Sequence, residues 1–447
     1  TEWGGSEPAG LELVRVALAT GATSTVMSAR SAGRPHFGPE ADRVYLYTRD
    51  GLVSVRFDGT DKRVLAKVVG RTTAPDPAPA SDVRLSPDGR HLLALVSTQL
   101  FVMPVPPASG ETPTINVSSP AVPVARLTDI GADEILFANA GRTAAWTVGS
   151  SLFRRELPSI SFEAPAPNPT ASPRPAAARA EEAATVTDFV VETPRAAPKG
   201  VIVLRGGRVV TMAAEKSDEV LENADVVIEG NRIRSVGPAG SAEIPAGARI
   251  MDVRGKTLIP GLVDVHAHWT EVRRRVLDLE AWPFTANLAY GVTTGRDPQT
   301  ATNDVFAYQD LIDAGVIAGP RAFNTGPGVF NNTDFQSAEA AKNVVEKYAK
   351  YYRTNTLKSY TVGNRRQRQW MVAASQEHRM MPTTEGSLDL KLDFTHAVDG
   401  FAGNEHALPI MPLYKDVVEV FAKSGITYTP TLLVAYGGPW AENYFYE

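Results

Sequence analysis

The sequence predicts a multidomain protein: a β-rich N-terminal domain, a proline-rich linker, a small domain of paired strands, and a C-terminal domain of alternating strands and helices. Three observations support this division. Turn-and-strand units recur in residues 1–157, prolines cluster within residues 158–180, and apolar strand patterns alternate with helical patterns after residue 268. With 447 residues, the chain is long enough for two or three domains, each with its own core.

The first 157 residues repeat one layout, in which an apolar anchor and a turn precede a pair of strands. The three copies begin at Phe37, Leu85 and Phe137, 48 and 52 residues apart, and repeats of this length indicate propeller blades. In the middle copy, residues 86–89 read Ser-Pro-Asp-Gly, a sequence that favours a tight turn. Three blades are too few to close a propeller, so flanking blades are missing or degenerate, and a β-sandwich is the alternative.

Residues 158–197 are predicted to form a linker or a strap across the surface, because dense proline favours extended, unpaired backbone. Strand patterns then resume at residues 201–204 and 208–212, and residues 225–233 predict a hairpin. Residues 198–258 are therefore expected to form a small β domain.

The most informative stretch is residues 255–269, an apolar run with a Pro-Gly turn that leads into His266 and His268. Side chains two apart on a strand share a face, so these imidazoles are predicted to point the same way. Imidazole nitrogen binds zinc, manganese, iron or nickel. The alternative is a pair of histidines on an exposed strand. The metal interpretation is favoured because two of only seven histidines fall in this window.

Residues 259–268, IPGLVDVHAH, resemble the first-strand signature of the amidohydrolase superfamily, in its imidazolonepropionase-like branch. The similarity runs from about Val201 onward. It implies a β-sandwich at residues 198–258 and a distorted (β/α)8 barrel of the TIM type at residues 259–447, with one or two metal ions at the C-terminal mouth of the barrel. The repeats of residues 1–157 resemble TolB-type propeller blades.

The same resemblance implies further ligands. Lys358 matches the family's lysine that carbon dioxide carboxylates and that bridges two metals; the alternative is a surface lysine at a strand end. Glu385 takes the place of the fifth-strand histidine that many relatives carry, and His406 matches the ligand after the sixth strand. Trp269 and Tyr360 are predicted to lie beside the substrate. The remaining histidines are predicted to be structural or solvated: His36, His91, His378 and His396.

The barrel pattern stops one strand short. After the first strand, six more strand patterns are predicted, at residues 288–294, 320–326, 356–360, 381–386, 399–406 and 426–433. Helical patterns are predicted at residues 304–314 and 337–352. The family's eighth-strand aspartate has no counterpart, so the catalytic base is unassigned. We expect a further segment or a partner chain to supply both strand and base, and a homo-oligomer is compatible with this.

The predicted function is a metal-dependent hydrolase in which metal-activated water cleaves the C–N bond of a small or peptide-like amide. One or two divalent ions are expected, with zinc the first choice. Two alternatives stay open: a catalytically degenerate binding or scaffold protein, and a lactonase or isomerase that uses the same metal site.

Composition and charge limit the kinds of partner and metal ligand that the chain can have. The formal charge of −5 leaves no basic footprint for nucleic acid, and no apolar run approaches the roughly 20 residues of a membrane span. Because the chain has no cysteine, its metal ligands must be nitrogen or oxygen. An exported or periplasmic location is favoured over the cytoplasm.

Overall fold

The computed structural model describes residues 12–29, 32–71, 76–107, 110–162, 180–213, 215–216, 218–273, 276–330, 333, 335–360, 362–386 and 389–432. Contacts divide the chain into two compact units. Unit 1 comprises Thr1–Val190 and Gly328–Glu447, and unit 2 comprises Val191–Pro327. The predicted boundary at residue 258 falls inside unit 2, and the predicted domain boundaries stay predictions. Five prolines of the predicted linker lie outside the described residues: Pro165, Pro167, Pro169, Pro173 and Pro175. The prediction of unpaired backbone is wrong for Thr185–Asp188, which forms a strand that pairs with Ser151–Arg154.

The N-terminal part of unit 1 consists of a hairpin and three small sheets. The hairpin pairs β1 (Glu12–Val16) with β2 (Thr23–Ser28). The first sheet contains β3 (Arg43–Thr48), β4 (Gly51–Arg56), β5 (Arg63–Gly70), β6 (Ala78–Pro79) and β10 (Thr114–Asn116). The second contains β7 (Asp82–Leu85), β8 (His91–Val96), β9 (Gln99–Pro104) and β11 (Ala125–Arg126). The third contains β12 (Ile135–Ala138), β13 (Thr143–Val148), β14 (Ser151–Glu156) and β15 (Thr185–Asp188).

The turn between β7 and β8 confirms the Ser-Pro-Asp-Gly prediction. The Ser86 hydroxyl donates to Asp88 Oδ1 at 2.6 Å and accepts from the backbone N–H groups of Arg90 and His91. Gly89 has a φ of 72°, which glycine adopts without strain. The hydroxyl that donates to Asp88 lowers the pKa of that carboxyl. The sequence thus fixes this hairpin through local hydrogen bonds.

The three sheets pack face to face in series. Leu92 lies in the cluster between the first and second sheets, with Leu52 and Met103. Its neighbour Leu93 lies in the cluster between the second and third sheets, with Trp146. This alternation of buried side chains on β8 is the period of a strand that is covered on both faces. Neighbouring blades would stack in this way, but the described residues show no closed ring, so the propeller stays a prediction.

Unit 2 begins with a five-stranded mixed sheet in which β16 is central. Its strands are β16 (Val201–Val210), β17 (Val220–Glu229), β18 (Arg232–Pro238), β19 (Arg249–Asp252) and β20 (Thr257–Leu258). The predicted hairpin is confirmed as β17 and β18, which pair antiparallel. The described residues form this one five-stranded sheet, and the β-sandwich stays a prediction.

A parallel three-stranded sheet completes unit 2. It contains β21 (Leu262–Asp264), β22 (Val292–Asp297) and β23 (Arg321–Asn324), connected through α1 (Trp282–Ala289) and α2 (Asp304–Asp313). The prediction that the second strand begins at residue 288 is wrong. Leu288 and Ala289 are the last two residues of helix α1, and Gly291, with a φ of 82°, turns the chain before the strand starts at Val292.

The C-terminal part of unit 1 contains a parallel sheet in the order β24 (Thr356–Lys358), β25 (Met381–Thr384), β26 (Gly403–Asn404) and β27 (Thr427–Tyr428). Its helices are α3 (Ala338–Glu346), α4 (Arg365–Glu377), α5 (Leu390–Asp399) and α6 (Lys415–Ser424). The predicted alternation of strand and helix is confirmed in both units, whereas no closed barrel is seen in the described residues. Among the described helices, none is long and apolar enough to cross a membrane.

Helix α3 is shorter than the pattern predicted. The Ser337 hydroxyl caps its start by accepting from the N–H of Ala340 at 3.1 Å. After Glu346 the helix widens into a π-helical turn, Lys347–Tyr352. The aromatic stripe predicted to pack against the barrel includes Tyr348 and Tyr352, and both are buried.

The π-helical turn is tied to the third sheet through Asp133. The Lys347 ammonium lies 2.6 Å from Asp133 Oδ1, and the Tyr352 hydroxyl donates to the same oxygen at 2.5 Å. The N–H of Gly149 donates to the other carboxylate oxygen at 2.8 Å. The Asp133 and Lys347 side chains are about nine-tenths buried, which makes this an internal anchor between the two halves of unit 1.

Asp133→Asn is expected to lower the free energy of unfolding of unit 1 by about 3 kcal/mol, because it leaves the Lys347 ammonium buried without its counter-charge. Urea unfolding followed by circular dichroism would measure the loss. Asp50→Asn is the matched control, since Asp50 pairs with Lys62 at 3.1 Å on the surface, where such pairs contribute less than about 1 kcal/mol. Equal effects of the two changes would contradict the anchor.

Candidate metal centre

His266 and His268 converge just past the end of β21. Their Nε2 atoms lie 3.1 Å apart and their ring centroids 4.8 Å apart. Two nitrogen ligands about 2.05 Å from one tetrahedral zinc ion lie roughly 3.4 Å apart. The distance between the two Nε2 atoms is therefore close to the distance that binding of one metal ion requires. The predicted convergence is confirmed, although the strand ends at Asp264 and the histidines follow it in a turn held by the His266 N–H, which donates to the Asp264 carboxylate.

Asp297, the last residue of β22, lies close to this histidine pair. It is fully buried and accepts hydrogen bonds from the backbone N–H groups of Trp269 and Gln299 and from Arg273 Nη2 at 2.7 Å. Its Oδ1 lies 3.7 Å from His268 Nδ1. A carboxylate behind a ligand histidine fixes the orientation of the ring. Sequence reasoning missed Asp297; its position at the carboxyl end of the second strand is the signal that could have found it.

Trp269 belongs to the hydrophobic core of unit 2. Its ring packs on Phe284 with centroids 5.1 Å apart, and its side chain is almost entirely buried. Gly295 is required beneath it, because an added Cβ there would come within 2.6 Å of the indole. The packing gives Trp269 a structural role, and contact with substrate stays a prediction.

Lys358 and Glu385 meet inside unit 1. Lys358 ends β24 and Glu385 directly follows β25; because these strands are parallel neighbours, their carboxyl ends meet at one edge. Lys358 Nζ lies 2.5 Å from Glu385 Oε1, and the lysine side chain is fully buried. The alternative of a surface lysine is therefore wrong. The ammonium also lies 5.4 Å from the ring centroid of Tyr360, which places Tyr360 beside the pair.

The end of the sixth strand carries His406. The structure places this histidine two residues after β26, half-buried, where its backbone carbonyl accepts from the Asn404 amide at 3.3 Å. Glu405, which directly precedes it, is 3% exposed. Sequence reasoning did not single out Glu405, whose buried carboxylate is a further oxygen donor at this strand end.

The structure therefore brings the predicted ligands together in two groups. Unit 2 joins His266 with His268, and unit 1 joins Lys358 with Glu385. Each group lies at the carboxyl ends of parallel strands, where barrel enzymes place their active sites. The imidazole nitrogens of the first group and the Glu385 carboxylate of the second are donors that suit a divalent cation, whereas the Lys358 ammonium is not a metal ligand in this form.

Two other histidines, one buried and one half-buried, belong to neither group. His396 on α5 is 1% exposed and packs on Phe401 with ring centroids 4.6 Å apart. Burial, helped by the nearby Arg368 cation, lowers the pKa of His396 to about 4. Burial and Arg84 likewise lower the pKa of His36 to about 4. Both residues fit the structural role that was predicted for them.

These pKa values make the protein less stable in acid. The unfolded chain takes up the proton first, near pH 6.5, so the neutral-histidine contribution is complete above that pH and is lost as the pH falls toward 4. Each histidine is expected to contribute up to about 3 kcal/mol over this range. Urea unfolding at pH 7 and pH 4.5 would show it. His396→Gln should flatten the pH dependence, and an unchanged slope would contradict the assignment.

Comparison with known proteins gives partial matches to amidohydrolase-type enzymes. The chain is 36% identical over 97 residues to imidazolonepropionase of Arthrobacter sp., a match of 21% of this chain and 24% of the relative. It is 35% identical over 121 residues to allantoinase of Solibacter usitatus, a match of 27% and 23% respectively. A solved structure of phenylurea hydrolase B aligns with 51% of this chain and 64% of its own, at 17% identity and a TM-score of 0.44.

No family model matches the chain. The matches span about a quarter of the length of these curated relatives. Further relatives are named adenine deaminase and dihydroorotase. These curated relatives are amidohydrolase-type enzymes, and the similarity holds for the matched residues.

Proposed function

We propose that the chain forms the metal-binding part of a hydrolase that cleaves the C–N bond of a small or peptide-like amide. One observation carries the proposal: the Nε2 atoms of His266 and His268 stand 3.1 Å apart at the carboxyl end of a parallel strand. Relatives named imidazolonepropionase, allantoinase and dihydroorotase support the same class of reaction.

The proposed ligands are His266, His268, Lys358 in its carboxylated form, Glu385 and His406. They would hold one or two divalent ions, zinc first, with manganese, iron or nickel as the other candidates. A bound ion of this kind supplies Lewis acidity and lowers the pKa of water toward neutrality. The donor chemistry supports this choice, because every proposed ligand atom is an imidazole nitrogen or an oxygen.

The chain's own residues set up the site in three ways. Asp297 binds Arg273, whose Nη2 lies 3.3 Å from His268 Nδ1, so Asp297 positions the His268 ring through this arginine. Tyr360 shields the Lys358 side chain with its ring. Carboxylation would turn the Lys358 cation into an anion beside the Glu385 carboxylate, and two adjacent carboxylates need a cation between them. No residue of the described chain is assigned as the general base.

The N-terminal sheets extend the proposal. We assign them to a TolB-type propeller that restricts access to the metal centre or helps to bind substrate; their serial packing supports this. The C-terminal strands and helices are assigned to the barrel. The proposal includes an exported or periplasmic location, which cell fractionation would test.

The ion pair between Lys358 and Glu385 favours a second candidate, a binding or scaffold protein. If Lys358 keeps its ammonium, the carboxylate that should bridge two metals does not form, and Glu385 is occupied by the lysine. A protein in that state would retain the fold without the complete ligand set. Metal content and turnover separate the two candidates.

The test is hydrolysis by the purified chain of a panel of amides, dipeptides and lactones, before and after treatment with a chelator. The proposal expects amide cleavage that disappears on chelation and returns when zinc or manganese is added back. Cleavage of the lactones alone would favour the lactonase alternative. Absence of turnover with every metal would support the scaffold candidate and contradict the proposal.

A further inference from the structure

A cavity of about 450 Å³ lies at the edge of the second sheet, and the proposed hydrolysis does not use it. Strands β9 and β11, the segment 117–124 and residues at the end of β14 and just after it form its wall. Its volume lies within the roughly 300–1,000 Å³ of ordinary ligand sites. The wall combines apolar side chains, among them Phe101, Val117, Val124 and Ile160, with polar surface from Ser118, Ser161 and two arginines.

One cation in this wall lacks a counter-charge. Arg155 is half-buried, its Nε is inaccessible to solvent and without a hydrogen-bond partner, and no described carboxylate pairs with its guanidinium. A guanidinium that is partly removed from water without an anion is unfavourable. The preceding residue, Arg154, is exposed, and its guanidinium donates to the Thr187 hydroxyl at 3.2 Å. Successive strand residues point to opposite faces, which explains why Arg155 lines the cavity and its neighbour Arg154 does not.

A second arginine adds positive charge at the rim. Arg126 is exposed; its Nε donates to the Thr128 carbonyl at 2.6 Å, and its Nη2 lies 3.3 Å from Asp129. Asp129 offsets one of the two guanidinium charges, so the two arginines leave a net positive charge beside the apolar side chains of the wall. That combination complements a molecule with one anionic group and an apolar body.

We infer that this cavity binds a small carboxylate with an apolar body, of the kind represented by an N-acylated hydrophobic amino acid. The Arg155 guanidinium would donate hydrogen bonds to both carboxylate oxygens, and the apolar side chains of the wall would cover the apolar body. The inference does not rest on the proposed hydrolase activity, because no predicted metal ligand lines the cavity.

The experiment is calorimetric titration of the full chain, treated with chelator, with N-acetyl-L-phenylalanine. Chelation removes metal as a competing anion site. We expect saturable binding of the acid and at least tenfold weaker binding of its uncharged methyl ester. Arg155→Gln should weaken the acid about tenfold or more, the effect of losing a charge-assisted hydrogen bond, whereas Arg154→Gln, the matched control, should leave affinity unchanged.

Arg126→Gln provides a second variant on an exposed side chain, where folding is not at risk, and should weaken binding severalfold. Circular dichroism would show that each variant keeps its fold. The inference is overturned if the ester binds as tightly as the acid, if Arg154→Gln and Arg155→Gln have equal effects, or if the wild-type chain shows no saturable binding at millimolar acid. None of these outcomes bears on metal-dependent hydrolysis, so the two proposals fail separately.

Discussion

His266→Ala is expected to abolish stoichiometric metal binding. The change removes one of two nitrogens that stand 3.1 Å apart, and the remaining imidazole offers a single donor where a chelating pair stood before. The affinity for zinc should fall by more than the roughly 10–100-fold that loss of a supporting residue costs. Elemental analysis after dialysis against a fixed zinc concentration would measure the loss, and amide hydrolysis should fall with it.

Two further variants provide an intermediate case and a control for this loss of metal binding. Asp297→Asn keeps both imidazoles but weakens the restraint on His268, so its metal affinity should fall only about 10–100-fold. His378→Ala removes a histidine at the end of α4 that belongs to neither ligand group, and its metal content should equal that of the wild type. If His266→Ala retains the wild-type metal content, the assignment of this histidine pair fails.

The features that the sequence predicted well depend on short-range rules. The Ser86-to-Gly89 turn and the paired strands around it follow from hydrogen bonds between residues a few positions apart. The convergence of His266 and His268 also depends on local geometry. Residues two apart after an apolar strand need no distant partner to point the same way.

Long-range pairings were not predictable in the same way. Asp133 contacts Lys347 and Tyr352 from a different part of the chain, and no local pattern marks it. Asp297 was missed because one aspartate at a strand end resembles any other until the fold sets it behind His268. The second strand was placed too early because Leu288 and Ala289 continue an apolar pattern that fits a strand or a helix equally well.

Lys358 shows one feature that the sequence predicted and one long-range pairing that it did not. Its apolar context correctly predicted burial, but the sequence did not show that Glu385, the residue in place of a histidine, would lie 2.5 Å from the ammonium. The glutamate at this position therefore determines the charge beside the lysine. A carboxylate neighbour favours the protonated lysine in the absence of metal, whereas carbon dioxide reacts with the neutral amine.

Lys358→Met is expected to destabilise the metal-free protein by about 3–5 kcal/mol, the usual cost of leaving one partner of a buried ion pair without the other. Chelator-treated protein should be used, so that metal does not compete for Glu385, and urea unfolding of unit 1 would measure the change. Adding Glu385→Leu should restore most of the loss, because removal of both charges leaves no buried ion. In the metal-loaded protein, Lys358→Ala should lose hydrolysis and regain part of it when acetate or propionate supplies the missing carboxylate.

These measurements distinguish the protonated form of Lys358 from its carboxylated form. A large loss in Lys358→Met that Glu385→Leu restores establishes the ion pair in metal-free protein, and rescue by short carboxylates establishes the carboxylated lysine in the loaded protein. An ion pair without rescue would leave Lys358 as a structural cation and favour the scaffold candidate. If Lys358→Met changes stability no more than the surface control Asp50→Asn, the buried pair itself is refuted, and Glu385 is then available as a metal ligand without first releasing the lysine.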